Sequence, residues 1–154
     1  MSRQVVDTLI RKNWKIAFAE SCTGGLAAAR LVDVPDASRV LDASVVTYAN
    51  EAKIRYLGVD PETLTAFGAV SEQVAGQMAQ GVALENGAQV GVGISGIAGP
   101  GGGSDEKPVG MVCFGFWVNG NLTVTTCQFG ALGRNQVRAA AVDFVYRRLN
   151  ELLQ

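Results

Sequence analysis

The sequence predicts an α/β fold, a three-layer α/β/α sandwich on a mixed, mostly parallel five-stranded sheet, and three observations carry that expectation. Five short apolar or β-branched runs alternate for most of the chain with segments of helical periodicity. Asn119-Gly120 joins the last two runs as a hairpin, so those strands are antiparallel neighbours. A chain of 154 residues that is 48% hydrophobic and 18% charged is the size of one domain, here residues 1–154, with enough apolar surface for a core on both sheet faces.

In order, Val5, Val6, Leu9 and Ile10 recur at helical spacing opposite Arg3, Asp7, Arg11 and Lys12, giving an amphipathic helix that ends near Asn13. Lys15 to Glu20 reads as a buried strand and Thr23 to about Val32 as a helix stopped by Pro35. Between them, Ser21 sits at a strand-to-helix turn, where its hydroxyl and the first free amide N–H groups face a ligand together. The simplest role for a serine there is an N-cap. Asp33 to Asp42 is a loop, Ala43 to Tyr48 a second strand, and Asn50 to Leu57 a helix started at Asn50 and ended by Gly58. Asp60-Pro61 is the signature of a cap followed by proline at the first helical position. Ser71 caps a longer helix through Glu85, with Val74, Met78 and Val82 on one face.

Gln89 to Ile97 is the third strand. Its Gly91, Gly93 and Gly96 match G-x-G-x-x-G, yet they lie inside the apolar run and no helix can follow them. A dinucleotide fingerprint needs its glycines after the strand and opening a helix, so this match is not one. The loop Gly96 to Ser104 is either a mobile connection or a cradle of N–H groups for an anion. Val109 to Val118 and Leu122 to Gln128 complete the sheet, and Val137, Ala141, Phe144, Val145 and Leu149 form the stripe of a closing helix. Arg134 and Arg138, one turn apart at its start, either hold a phosphate or line a solvated face.

Composition narrows the chemistry. A formal charge of −1 and a pI near 5.4, with no basic block, lack the electrostatic footprint of a nucleic-acid binder. No run reaches the ~18 apolar residues of a membrane span, and no apolar leader opens the chain. Cys22, Cys113 and Cys127 make neither a complete disulfide set nor a zinc spacing, which fits a reducing cytoplasm. With no histidine in the chain, Ser-His-Asp and Cys-His catalysis and histidine metal sites are excluded.

Five motifs in order carry a resemblance over nearly the whole chain: Glu20-Ser21-Cys22-Thr23-Gly24-Gly25, Val46 to Lys53, Gly68 to Glu72, Ser95 to Pro100 with Gly103-Ser104, and Lys107 to Gly110. Together they resemble the CinA C-terminal domain family, the nicotinamide-nucleotide amidohydrolases. The resemblance implies a mixed five-stranded α/β/α fold and hydrolysis of the carboxamide of nicotinamide mononucleotide to nicotinic acid mononucleotide and ammonia. It implies no redox cofactor and no metal, and a Ser-Tyr-Lys set falling on Ser21, Tyr48 and Lys53. Longer members add an N-terminal domain, and this chain resembles the stand-alone form; separately, its apolar composition and short length make a homodimer the expected assembly. One departure stands out: many members carry Gly-Asp-Arg before the last helix, whereas this chain has Leu132-Gly133-Arg134.

The chemistry allowed by the residues agrees with that assignment. An amide is a poor electrophile, so a chain without histidine needs a serine or cysteine nucleophile with another base, and a lysine of lowered pKa suffices. Lys53 follows a strand end that lies beside the Ser21 strand end in a parallel arrangement. Either Lys53 takes the proton itself or Tyr48 relays it. Cys22 is the rival nucleophile, its thiol expected to be acidified by a helix N-terminus. Backbone N–H groups from Cys22 to Gly24, with Gly25 beside them, form the expected oxyanion hole, and Glu20 orients Lys53 or pairs with another cation. Ser95, Gly96, Gly99, Gly103, Ser104 and Lys107, or else Arg134 with Arg138, are the expected substrate and phosphate contacts. Two alternatives stay open: a sensor that binds a nucleotide without turnover, and a hydrolase of another amide.

Overall fold

The chain runs α1 (Ser2–Lys12), β1 (Ile16–Glu20), α2 (Leu26–Val32), a 3-10 turn at Ala37–Arg39, β2 (Val45–Val46), α3 (Asn50–Leu57), α4 (Pro61–Phe67), α5 (Glu72–Glu85), β3 (Val90–Gly96), β4 (Met111–Val118), β5 (Asn121–Gln128) and α6 (Arg134–Leu152), in a computed structural model that describes residues 1–154. The sheet order is β2-β1-β3-β4-β5. β1 pairs in parallel with β2 and β3, while β3–β4 and β4–β5 are antiparallel, so β4 alone runs against the other four strands. Asn119 and Gly120, both at positive φ, make the hairpin turn that the sequence predicts.

Alternation along β1 builds a core on each face. Ile16 and Phe18 join Val90, Val92, Ile94 and Phe114 under α1, α2 and α6, whereas Ala17 and Ala19 join Val74, Met78 and Val82 of α5. The second layer is thin because β3 presents glycine to α5. A Cβ added at Gly91 would strike the Ala79 carbonyl, and one at Gly93 would lie 2.8 Å from the Ala79 nitrogen. The G-x-G-x-x-G pattern is therefore a packing device that brings a helix onto the sheet.

Two caps form as the sequence predicts: Asp60 accepts from the Glu62 N–H at 2.9 Å and Ser71 from the Val74 N–H at 3.2 Å. Two elements are shorter than predicted. β2 covers only Val45–Val46, because Ser44 Oγ rather than a backbone carbonyl accepts the Phe18 N–H and because the Thr47 and Tyr48 carbonyls turn toward Lys53. α2 starts at Leu26, not Thr23, since Gly24 and Gly25 adopt positive φ (59° and 107°) and hold residues 21–25 in a turn. No helix is long and apolar enough to cross a membrane.

Candidate active site

The carboxyl ends of β1, β2 and β3 meet at one edge. Glu20 stands opposite both Val46 and Ile94, so Ser21, Thr47 and Ser95 emerge side by side. From β1 the chain leaves through α2 on one face, and it reaches β3 through α5 on the other. That reversal opens the crevice in which open α/β sheets bind ligands.

Ser21 begins a tight turn. Its N–H donates to the Ile94 carbonyl (3.0 Å), continuing the β1–β3 ladder, and its carbonyl accepts from the Gly24 N–H (3.1 Å). Ser21 is therefore no helix cap. That task falls to Glu20, fully buried, whose two carboxylate oxygens accept from the Ala27 and Ala28 N–H groups at 2.9 and 3.0 Å. Glu20 accordingly orients α2, and neither Lys53 nor any other cation. The Cys22 and Thr23 N–H groups form no backbone hydrogen bond. The Gly24 N–H is consumed by the turn and Thr23 is fully buried away from the cavity, so the expected oxyanion donors reduce to the Cys22 N–H.

Lys53 comes from the first turn of α3, and its side chain is 1% exposed. Its Nζ lies 3.1 Å from Ser21 Oγ, 2.7 Å from the Thr47 carbonyl and 3.4 Å from the Tyr48 carbonyl. No carboxylate pairs with it. Burial holds its pKa below the ordinary lysine value, opposed by the neighbouring Cys22. Cys22 itself is buried, and burial pushes its thiol up to about 11, against the acidification expected at a helix start. The helix begins four residues further on, and the Arg138 charge offsets only part of the desolvation. Lys53 Nζ thus hydrogen-bonds to Ser21 Oγ and makes no hydrogen bond to the Cys22 thiol.

Tyr48 stands elsewhere than expected. Its ring is 62% exposed, and its hydroxyl accepts from Arg134 Nη2 at 3.0 Å. It reaches Lys53 only through its backbone carbonyl, so it is not the bridge between lysine and serine. Arg134 also donates to the Gly99 carbonyl at 2.7 Å, tying the start of α6 to the glycine loop.

These groups surround an open cavity of ≈ 280 Å³ with Ser21, Cys22 and Lys53 on one side, Tyr48 and Arg134 at the rim, and Ser95 with the stretch Gly96–Gly99 opposite. The N–H groups of Ala98 and Gly99, both buried, form no hydrogen bond within the chain. The near half of the loop is thus a cradle of amides. The far half is not: Ser104 and Lys107 close their own turn (2.8 Å), Lys107 Nζ caps the α4 carbonyl of Phe67, and neither they nor Gly103 line the cavity. Arg138 likewise does not line the cavity; its guanidinium lies on the carbonyls of Cys22 and Thr23 behind the turn. Thr23, Gly24, Gly25 and Glu20 support the turn from behind and do not line the cavity.

Asn50, Ala69 and Val70 line the cavity without having been singled out by sequence. The sequence predicts the helix start at Asn50, but Ala49 occupies the cap position and no capping bond forms, which leaves Asn50 to line the cavity. A signal was present: Asn50 and Lys53 are three residues apart, on one helix face.

Comparison with known proteins agrees with the motifs. A model of the CinA C-terminal domain matches residues 1–153. A CinA-like protein of Kosmotoga olearia is 47% identical over 155 residues, covering 97% of this chain and 37% of its own length. One from Desulforapulum autotrophicum is 55% identical over 130 residues, covering 84% and 30%. The chain therefore spans 30–37% of the length of these curated relatives. Competence/damage inducible protein CihA from Agrobacterium tumefaciens superposes with a TM-score of 0.96 at 44% identity, covering 99% of this chain and 93% of that one. A competence-damaged protein (CinA) superfamily protein from Escherichia coli gives 0.94 at 34% identity, covering 98% and 87%. With fold, site motifs and matched length in agreement, the chain belongs to the CinA C-terminal domain family.

Proposed function

We propose that this domain is a nicotinamide-nucleotide amidase, hydrolysing nicotinamide mononucleotide to nicotinic acid mononucleotide and ammonia with Ser21 as nucleophile and Lys53 as base. The observation that carries the reading is the set of partners around Lys53 Nζ. A neutral amine has two N–H donors and one lone pair. The Thr47 and Tyr48 carbonyls take the donors, and Ser21 Oγ is the third neighbour at 3.1 Å. The lone pair then receives the serine proton.

In the first step Ser21 Oγ attacks the carboxamide carbon and its proton passes to Lys53. The tetrahedral oxyanion lies against the free Cys22 N–H at the cavity. Collapse breaks the C–N bond, the nitrogen takes the proton from Lys53, and ammonia departs. Water, deprotonated by the same amine, then hydrolyses the Ser21 ester to release the acid and restore the serine. The substrate phosphate is held by Arg134 with the Ala98 and Gly99 N–H groups, and the pyridinium lies over the exposed Tyr48 ring at the rim, a favourable cation–π arrangement. No redox cofactor takes part. The reaction places the enzyme in cytoplasmic salvage of pyridine nucleotides.

Incubation with nicotinamide mononucleotide, reading ammonia and the acid product, tests this. The wild-type protein turns over, and Ser21→Ala loses about 10³–10⁶-fold in kcat. Binding by calorimetry without any ammonia overturns the amidase reading in favour of a nucleotide sensor. Undiminished turnover by Ser21→Ala removes the serine from the mechanism.

A further inference from the structure

Arg138 is one turn into α6 and touches no part of the cavity, yet every hydrogen bond that it makes is directed. Nε donates to the Cys22 carbonyl at 3.0 Å and Nη2 to the Thr23 carbonyl at 3.2 Å. Nη1 donates to Asn135 Oδ1 at 3.2 Å, which fixes the plane of the guanidinium from its own helix. No carboxylate neutralises it. Gly24 leaves room for it, because a Cβ there would stand 3.3 Å from Nη2.

The two carbonyls belong to two peptide units with different duties. The Thr23 carbonyl shares its unit with the Gly24 N–H, which closes the turn onto the Ser21 carbonyl at 3.1 Å. The Ser21 carbonyl shares its unit with the Cys22 N–H, the free amide of the turn at the cavity, while the Cys22 carbonyl is the second oxygen by which the guanidinium grips the turn. A cation on a peptide oxygen draws density from the nitrogen and strengthens the N–H on the far side as a donor, an effect that passes along hydrogen-bonded peptide units and grows where water is excluded. We propose that Arg138 is a positioning residue for the oxyanion hole: it locks the Ser21–Gly24 turn and, through the Gly24 N–H on the Ser21 carbonyl, polarises the Cys22 N–H, acting on the transition state without touching substrate. This rests on Ser21 as the nucleophile, but not on the identity of the amide it cleaves.

The test uses the whole chain carrying Arg138→Met and Arg138→Lys. The first readout is steady-state ammonia release from nicotinamide mononucleotide. Arg138→Met lowers kcat about 10–100-fold, an order less than loss of a direct oxyanion donor, with KM within about twofold. Arg138→Lys keeps the charge but cannot span two carbonyls, and recovers part of the loss. The second readout needs no nucleotide: the rate at which a fluorophosphonate labels Ser21, followed by mass spectrometry. There the Ser21 Oγ–P bond forms, P–F breaks, fluoride leaves and the serine proton passes to Lys53, with the phosphoryl oxygen in the same hole. Labelling slows in the same order, wild type, Lys, Met.

Failure of wild type to release ammonia while it still labels sinks the amidase reading and leaves this one to be decided by the labelling rates. Equal labelling rates in all three proteins overturn the proposal. So does a rise in KM at constant kcat, which makes Arg138 a substrate ligand, and so does the absence of wild-type labelling. Arg138→Lys decides the matter if Arg138→Met does not fold.

Discussion

Titration of Lys53 should govern the rate. The side chain is 1% exposed, has no carboxylate partner, and touches three oxygens at 2.7–3.4 Å. Those oxygens favour the ammonium and burial disfavours it, and burial is the larger effect, so the pKa falls below 10.5. At the ordinary value of 10.5, only about 0.03% of the amine is neutral at pH 7. Each pH unit by which burial lowers the pKa multiplies that fraction tenfold. The plot of log kcat/KM for ammonia release against pH therefore climbs with unit slope and flattens below pH 10.5. Lys53→Met and Lys53→Arg, which cannot accept the serine proton, lose about 10²–10⁴-fold, and their residual rates show no such limb. A limb that persists in Lys53→Met, or a wild-type rate still climbing with unit slope above pH 10.5, would refute lysine as the base.

The same group leaves a mark on stability. The unfolded chain keeps the Lys53 proton up to about 10.5, whereas the folded chain releases it earlier. Between those two values the unfolded state binds more protons, so stability rises with pH across the window and is level on either side of it. Each pH unit of the window is worth about 1.4 kcal/mol, or roughly 3–6 °C in a domain of this size. Tm of the wild type minus Tm of Lys53→Met thus increases with pH, and a decreasing difference contradicts the assignment.

Other outcomes follow from the same coordinates. Cys22→Ala keeps ammonia release within about threefold, and iodoacetamide labels Cys22 far faster in urea than in the native protein, because a thiol raised to about 11 is almost wholly protonated at pH 7.5. Gly93→Ala drives a methyl group into the Ala75 carbonyl oxygen and to 2.8 Å from the Ala79 nitrogen; α5 must lift, which costs about 2–3 kcal/mol in urea denaturation. KM for nicotinamide mononucleotide stays unchanged, and a shift in KM would give those glycines a ligand role. Arg134→Ala raises KM for nicotinamide mononucleotide about 10–100-fold, the worth of a charged hydrogen bond, and leaves KM for the riboside lacking the phosphate unaltered.

What the sequence made legible was local or periodic. Asp60-Pro61, Ser71 and Asn119-Gly120 announce their own backbone, since a cap or a two-residue turn needs nothing beyond its neighbours. The meeting of Ser21 and Lys53 was legible for a different reason: two parallel strands in register must end together, and Glu20 is opposite Val46. Where reading failed, a partner distant in sequence had taken over a local duty. α2 is capped by Glu20 from six residues before its start, and Ser44 replaces a ladder carbonyl 26 residues from Phe18.

The arginines show the same limit in the functional direction. Arg134 and Arg138 have the spacing of a phosphate pair, and residue type with helical period cannot separate them. Position in the fold does: Arg134 bridges Tyr48 and Gly99 at the cavity rim, whereas Arg138, one turn deeper, meets the back of the Ser21–Gly24 turn 115 residues away. Of two cations drawn alike by sequence, one stands at the cavity and the other on the carbonyls of the turn behind it. The division also explains how a turn with two adjacent glycines at positive φ holds its shape. Glu20 anchors the α2 amides that follow it, and Arg138 anchors its carbonyls, so that Cys22 keeps its N–H free at the cavity beside Ser21.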